Sequence, residues 1–223
     1  MSAMEFVKKE ALRYLGYRNT MPDENTELLV DSCIVEARAA ASMVHVSRIF
    51  PVSVQTREEH GQEEGWIESG CFVTRSKSLS KNLEGCEQIL VFAATLGVGI
   101  DRLLTRYSKL EMSRAVVLQA VSAALIEAYC NELNAKWKDD FKKEGWYLRP
   151  RFSPGYGDFA LSNQKIILQS LDAAKWTGIT LTDSLLMMPS KSVTAVIGMG
   201  KNPVNCVVEG CEACEKKDCV YRR

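Results

Sequence analysis

From Ile100 to Glu144 the chain has neither glycine nor proline. Those two residues cost most in a helix interior, about 1 and 3 kcal/mol relative to alanine. A run of this length without either therefore predicts helix. We read two helices, a short one to about Lys109 and a long one from about Met112. In the long helix Val117, Val121, Ala124 and Ala128 recur at helical spacing, and Leu125 and Tyr129 widen this apolar stripe. Ala120, Ala123 and Ala124 make a second face of small residues, on whose side Glu127 follows.

The flanking sequence predicts both helices and strands. Residues 4–16 form an amphipathic helix with Phe6, Val7, Leu12 and Leu15, stopped at Gly16; Asp23, Asn25 and Thr26 offer caps for a second helix to about Ala41. Val44 to Val54 reads as extended and broken at Pro51, and residues 56–66 read as a charged loop. Gly70 to Thr74 is a strand, Ser78 to Leu83 a short helix, Gln88 to Ala94 a buried strand, and Gly97 and Gly99 a strand-to-helix turn. Later, Ser162 caps a helix that stops at Gly178, and Leu181 to Met188 and Val193 to Ile197 read as strands. The expected class is α+β (or α/β), a mixed, largely antiparallel sheet packed with helices.

The chain has 223 residues, 46% of them hydrophobic and 25% charged, enough for an ordinary packed core. We expect one domain over residues 1–200 and a cysteine-rich tail over 201–223. The 28 basic and 28 acidic side chains cancel, which argues against nucleic-acid binding through a bulk positive field. The first fifteen residues include Glu5, Lys8, Lys9, Glu10 and Arg13, and lack the apolar core of a signal peptide. Ile89 to Leu96 and Val121 to Ile126 are too short to span a bilayer. The expectation is a cytoplasmic protein with neither nucleic-acid nor membrane partners.

Residues 149–158 read Arg-Pro-Arg-Phe-Ser-Pro-Gly-Tyr-Gly-Asp. Pro154-Gly155 is a turn signal, and Gly155 would let a ligand lie against the backbone. Arg151 offers a planar fork for a carboxylate, and Tyr156 a ring face and a hydroxyl. Together these suit a zwitterionic amino-acid or nucleoside ligand; a surface turn with a solvated arginine is the other reading of the same residues.

The Arg-x-x-x-Gly-Tyr pattern of Arg151, Gly155 and Tyr156 resembles the S-adenosylmethionine-binding motif of the activation domain of cobalamin-dependent methionine synthase. The flanks follow the same order: Leu125-Ile126-Glu127-Ala128-Tyr129 upstream, then Thr177-Gly178-Ile179-Thr180-Leu181-Thr182-Asp183-Ser184, Met188-Pro189 and Ser192-Val193. The resemblance spans roughly Ile89 to Ile197. It departs from the family pattern at Gly157, where proline usually follows Gly-Tyr; at Met188, where tryptophan is expected; and in Gly198 to Cys206, which lacks a tyrosine. It implies that Arg151 binds the methionyl carboxylate, that Gly155 admits the ligand, and that Tyr156 packs or hydrogen-bonds beside it. Ser153 would offer a backbone contact, and Glu127 would accept from the amino group. The implied role is reactivation: S-adenosylmethionine is presented for reductive methylation of cob(II)alamin held by a partner methionine synthase lacking its own activation domain. A reduced flavoprotein would be the electron donor. Such a reaction needs placement more than acid–base machinery.

Cys206, Cys211, Cys214 and Cys219 have the spacing C-x4-C-x2-C-x4-C. Four thiolates so close suit zinc or an iron–sulfur cluster; a loose reduced tail or disulfides are the alternatives. Cys33, Cys71, Cys86 and Cys130 read as small core residues. His45 reads as a core or boundary residue and His60 as exposed, neither with a role. Gly97-Val98-Gly99 lacks the third glycine of a dinucleotide fingerprint and reads as a tight turn. Two rival functions remain: a docking module for a corrinoid protein without the ligand, and an electron-transfer accessory protein whose working part is the tail.

Overall fold

The computed structural model describes residues 2–17, 20–59 and 62–203. In chain order these form α1 (Ala3–Tyr14), α2 (Glu24–Ala40), β1 (Val44–Glu59), β2 (Gln62–Ser69), β3 (Val73–Arg75), α3 (Lys77–Asn82) and β4 (Gln88–Thr95). Then come α4 (Val98–Leu110), α5 (Met112–Lys143), β5 (Tyr147–Leu148), α6 (Asn163–Ser170), α7 (Ala173–Thr177), β6 (Thr180–Leu181), β7 (Met187–Met188) and β8 (Ser192–Gly200). The fold is α+β. The chain divides into two compact units, each drawn from three separate stretches of sequence.

The first unit takes the chain up to His45, Ala94–Asn134 and Ala174–Val193. It is mainly helical. Asp23 caps α2 by accepting from the Thr26 amide at 2.9 Å, as the sequence predicts. The break between α4 and α5 falls at Glu111, whose backbone is extended (φ −155°). Val117, Val121, Ala124 and Leu125 are buried along α5, confirming the predicted stripe. Among the described residues α5 is the one helix long and apolar enough to cross a membrane; 56% of that window is buried, as in a core helix. A small antiparallel pair, β6 with β7, replaces the single strand expected over Leu181 to Met188, with Leu185 at φ +62° in its turn.

The second unit takes Val46–Ala93, Ala135–Ala173 and the chain from Thr194. It holds the six-stranded sheet, in the order β3-β2-β1-β4-β8-β5. The β3–β2, β2–β1 and β8–β5 neighbours are antiparallel. β4 lies inside the sheet, and its residues Ile89 to Ala94 are all buried, which explains its unbroken apolar run. Phe92 packs against Trp137 at 5.1 Å between ring centroids.

Three expectations fail in this unit. The charged segment 56–66 is not a loop but the arms of a hairpin, with Thr56 opposite Gly65 and Glu59 opposite Gln62. Nor does Pro51 break β1. The Val52 amide donates to Glu87 on one side, and residue 51 faces the other, where the Pro51 carbonyl accepts from the Gly70 amide at 3.2 Å just past the end of β2; proline keeps its acceptor, and its missing N–H falls at the end of the ladder. The helix expected from Ser162 to Gly178 is split. Ser162 is αR and makes no side-chain cap bond, and Asp172 sits at φ +51° between α6 and α7. Arg48 fixes that break by donating to the Ser170 carbonyl and to Asp172 Oδ2, both at 2.8 Å.

Candidate functional site

The Arg151 loop hangs from the edge of the sheet. β5 pairs with the end of β8, Tyr147 opposite Gly200 and Leu148 opposite Met199. The pairing continues past β5: the Arg149 amide donates to the Gly198 carbonyl at 2.8 Å, and Phe152 and Val196 exchange two bonds of 2.8 Å. Arg151 therefore lies between two residues whose backbones are tied to β8. Arg149 is buried and donates from Nη2 to the Glu84 carbonyl at 3.0 Å. Its stem crosses Gly198, where an added Cβ would stand 2.9 Å from Arg149 Cγ and 2.6 Å from Cys86 Sγ.

After Phe152 the chain doubles back on itself. The Tyr156 amide donates to the Ser153 carbonyl at 3.2 Å, Phe159 to Tyr156 at 3.0 Å, and Gly155 to Phe159 at 2.8 Å. Gly155 has φ +92°, so the turn signal is borne out and its conformation favours glycine. Its amide is engaged inside the loop; what it presents outward is a bare Cα face. Phe159 is only 1% exposed and packs against Phe72 (5.6 Å) and Phe152 (6.3 Å), anchoring the far side of the loop. Arg151 and Ser153 are half-buried, and Tyr156 is 66% exposed. These four residues share one short loop of the second unit. Glu127 is half-buried on α5 and belongs to the first unit.

Asp158 was not singled out by sequence, yet it is the loop's main polar anchor. Its carboxylate accepts from Ser76 Oγ (2.6 Å) and from the Lys77 (2.6 Å) and Ser78 (3.0 Å) amides, the donors that open α3. Ser76 in turn accepts from the Leu79 amide. Partial burial opposes ionisation, but the Ser76 hydroxyl and the Ser78 and Lys77 amides outweigh it and hold Asp158 below the usual carboxylate range. Because the folded pKa is depressed, this contribution is fully present above the unfolded value near 4 and is lost as pH falls through the folded one. Asp158→Ala should thus cost about 1–2 kcal/mol at neutral pH, with the gap to the parent closing below about pH 4. Chemical denaturation at both pH values checks this; a gap that persists unchanged in acid would refute it.

The departure at Gly157 has a backbone cause. Its φ is +55°, which proline, fixed near −65°, cannot adopt. An added Cβ would also stand 2.8 Å from Ser78 Oγ.

Cys33, Cys71, Cys86 and Cys130 are buried free thiols, as expected. His45 departs from expectation: it is exposed, with Nδ1 2.8 Å from the Tyr129 hydroxyl. No cluster of metal-binding side chains occurs among the described residues. Cys206, Cys211, Cys214, Cys219 and His60 lie outside them.

Comparison with known proteins adds the following. The family model described as "Vitamin B12 dependent methionine synthase, activation domain" matches residues 72–219. That span is wider at both ends than the resemblance read from the motifs, and it takes in all four tail cysteines. Among solved structures, a crystal structure of the MetH reactivation domain bound to AdoHcy is similar, with a TM-score of 0.56 and 16% identity over 89% of this chain and 76% of that one. At that identity the likeness is one of fold. No curated protein matches the sequence.

Proposed function

This chain belongs to the family of vitamin B12-dependent methionine synthase activation domains, and from that premise we propose that it binds S-adenosylmethionine and presents its methyl group, in trans, to a cobalamin carried by a separate methionine synthase chain. Membership relates its role to methionine synthase reactivation. Held by the partner, the cobalamin would supply the methyl acceptor: its cobalt, reduced by one electron from a donor such as a reduced flavoprotein, would take the sulfonium methyl and release S-adenosylhomocysteine.

This chain's residues bind and position. Arg151 pairs with the methionyl carboxylate through its planar fork. The bare Cα face of Gly155 lets the ligand lie against the chain, Ser153 offers backbone beside it, and the exposed Tyr156 ring covers it. Glu127 accepts from the ligand's ammonium group. The sulfonium methyl is already activated, so placement and exclusion of water are the protein's tasks. Accordingly, the loop carries no histidine, and its one carboxylate, Asp158, is engaged by Ser76 and the Lys77 and Ser78 amides.

The observation that carries this reading is the loop itself: Arg151, Gly155 and Tyr156 in family order, fixed to β8, with glycine at φ +92°. Calorimetric titration of the full chain with S-adenosylmethionine, with and without a cobalamin-loaded methionine synthase, tests it. Saturable binding that tightens beside the partner is expected. Absence of binding in both arrangements would leave the docking-module and electron-transfer readings. Arg151→Ala should weaken binding roughly ten- to a hundredfold, the loss of one charge-assisted bidentate pair; unchanged affinity would remove the carboxylate assignment.

The tail falls within the matched span. Its four thiolates suit a tetrahedral zinc or an iron–sulfur centre. Elemental analysis of protein prepared without oxygen should find about one site's worth of metal per chain, and removal of residues 205–223 should eliminate it while preserving ligand binding.

A further inference from the structure

The first unit contains a groove of about 420 Å³ between α1, α2 and α5, a volume in the range of small-molecule clefts. Its walls are apolar, formed by Met4, Phe6, Ile34, Met43 and Leu125 among others; Met4 and Met43 are 50% and 40% exposed at its surface. Two opposite charges and one amide also line it: Arg38, Glu132 and Asn131.

Three arginines elsewhere in the chain have carboxylate partners. Arg13 is held by Glu10 at 2.8 Å, Arg48 by Asp172 at 2.8 Å, and Arg114 by Glu36 at 3.3 Å and Glu111 at 3.2 Å. Arg38 instead donates from Nη1 to the thioether sulfur of Met4 at 3.1 Å. A thioether is a weak acceptor and does not satisfy a guanidinium. Among the described residues neither Arg38 nor Glu132 has an ion-pair partner, and they do not pair with each other.

The groove is also separate from the site assigned to Glu127. On α5 it is lined by Leu125, Ala128, Tyr129, Asn131 and Glu132. Glu127 is not among the residues that line it. The Tyr129 hydroxyl on the groove side is engaged by His45.

We propose that this groove is a second binding site, which takes an apolar α-amino acid with its carboxylate on Arg38, its ammonium on Glu132 and its side chain against the methionines and Leu125. An apolar body with one anion and one cation complements the whole lining. A simple anion would leave Glu132 repelling it, and a simple cation would leave Arg38 doing the same.

The full chain labelled at its methionine methyl groups tests this directly, because Met4 and Met43 report from the groove while Met188 and Met199 do not line it. Titration with L-leucine or L-methionine should shift the Met4 and Met43 signals saturably. Arg38→Gln and Glu132→Gln, both at exposed positions, should each weaken that binding roughly tenfold or more. Arg151→Ala should leave it unchanged, which separates failure here from failure of the S-adenosylmethionine assignment. The proposal is overturned if neither amino acid shifts Met4 and Met43, if hexanoate binds as well as leucine, or if Arg151→Ala alone removes the effect.

Discussion

Gly155→Val is expected to abolish S-adenosylmethionine binding while leaving the protein folded. Gly155 lies at φ +92°, where an L residue costs about 1–2 kcal/mol or more, and a β-branched one is a true outlier. Space is not the obstacle: an added Cβ would meet only Leu161 Cδ1, at 3.4 Å, an ordinary contact. The strain therefore falls on the loop backbone. If the valine accepts it, its branches project from the face where the ligand would lie. If the backbone relaxes to negative φ, the Gly155 amide swings off the Phe159 carbonyl and the loop shape is lost. Either route removes the site. The fold survives because the loop is anchored elsewhere, by buried Phe159 and by the bonds of Asp158 to Ser76, Lys77 and Ser78. Calorimetry beside a thermal melt decides the matter. A folded Gly155→Val protein with parental affinity would show that the ligand binds elsewhere.

Gly99→Ala should have the opposite signature, a large loss of stability. Helix propensity alone predicts a gain, since alanine is favoured over glycine by about 1 kcal/mol inside a helix. Packing reverses that sign. Gly99 lies in the first turn of α4, and a Cβ there would overlap the carbonyl oxygen of Ala40, the last residue of α2. The obstacle is backbone on both sides, so no side-chain rotation relieves it. Moving the end of α2 would disturb the Ser42 amide bond to the Leu96 carbonyl, 2.8 Å, and the contact of Gly97 with Ser42. A net cost of about 3 kcal/mol is expected, at the upper end of overpacking penalties. For a chain of this size that is a fall of about 6–12 °C in Tm. A variant at least as stable as the parent would mean that the turn is not close-packed. The Gly97-Val98-Gly99 sequence is thus explained by close approach of two helices, without a nucleotide.

What can be read from the sequence is what neighbouring residues settle among themselves. The helices of Ile100 to Glu144, their break near Glu111, the Asp23 cap of α2, the buried strand β4 and the Pro154-Gly155 turn all follow from propensity, periodicity or turn chemistry over a few residues. The family was legible for the same reason, because its motif is a run of adjacent residues whose spacing the chain itself preserves. Missed features depend on pairings that no local preference signals, most of them between residues far apart in sequence. The segment 56–66 is charged without apolar alternation, and becomes strand because its two halves pair. Pro51 is tolerated because it stands at the end of the β1–β2 ladder, where only its carbonyl is used, by the Gly70 amide. Asp172 adopts positive φ because Arg48, 124 residues away, holds it there. Asp158 anchors the loop through Ser76, 82 residues away. Arg38 and Glu132 line one groove only once α1, α2 and α5 have packed. Short-range preferences are properties of a residue and its neighbours and so are written in the sequence. Partners brought together by packing leave no local trace, and only the tertiary structure decides them.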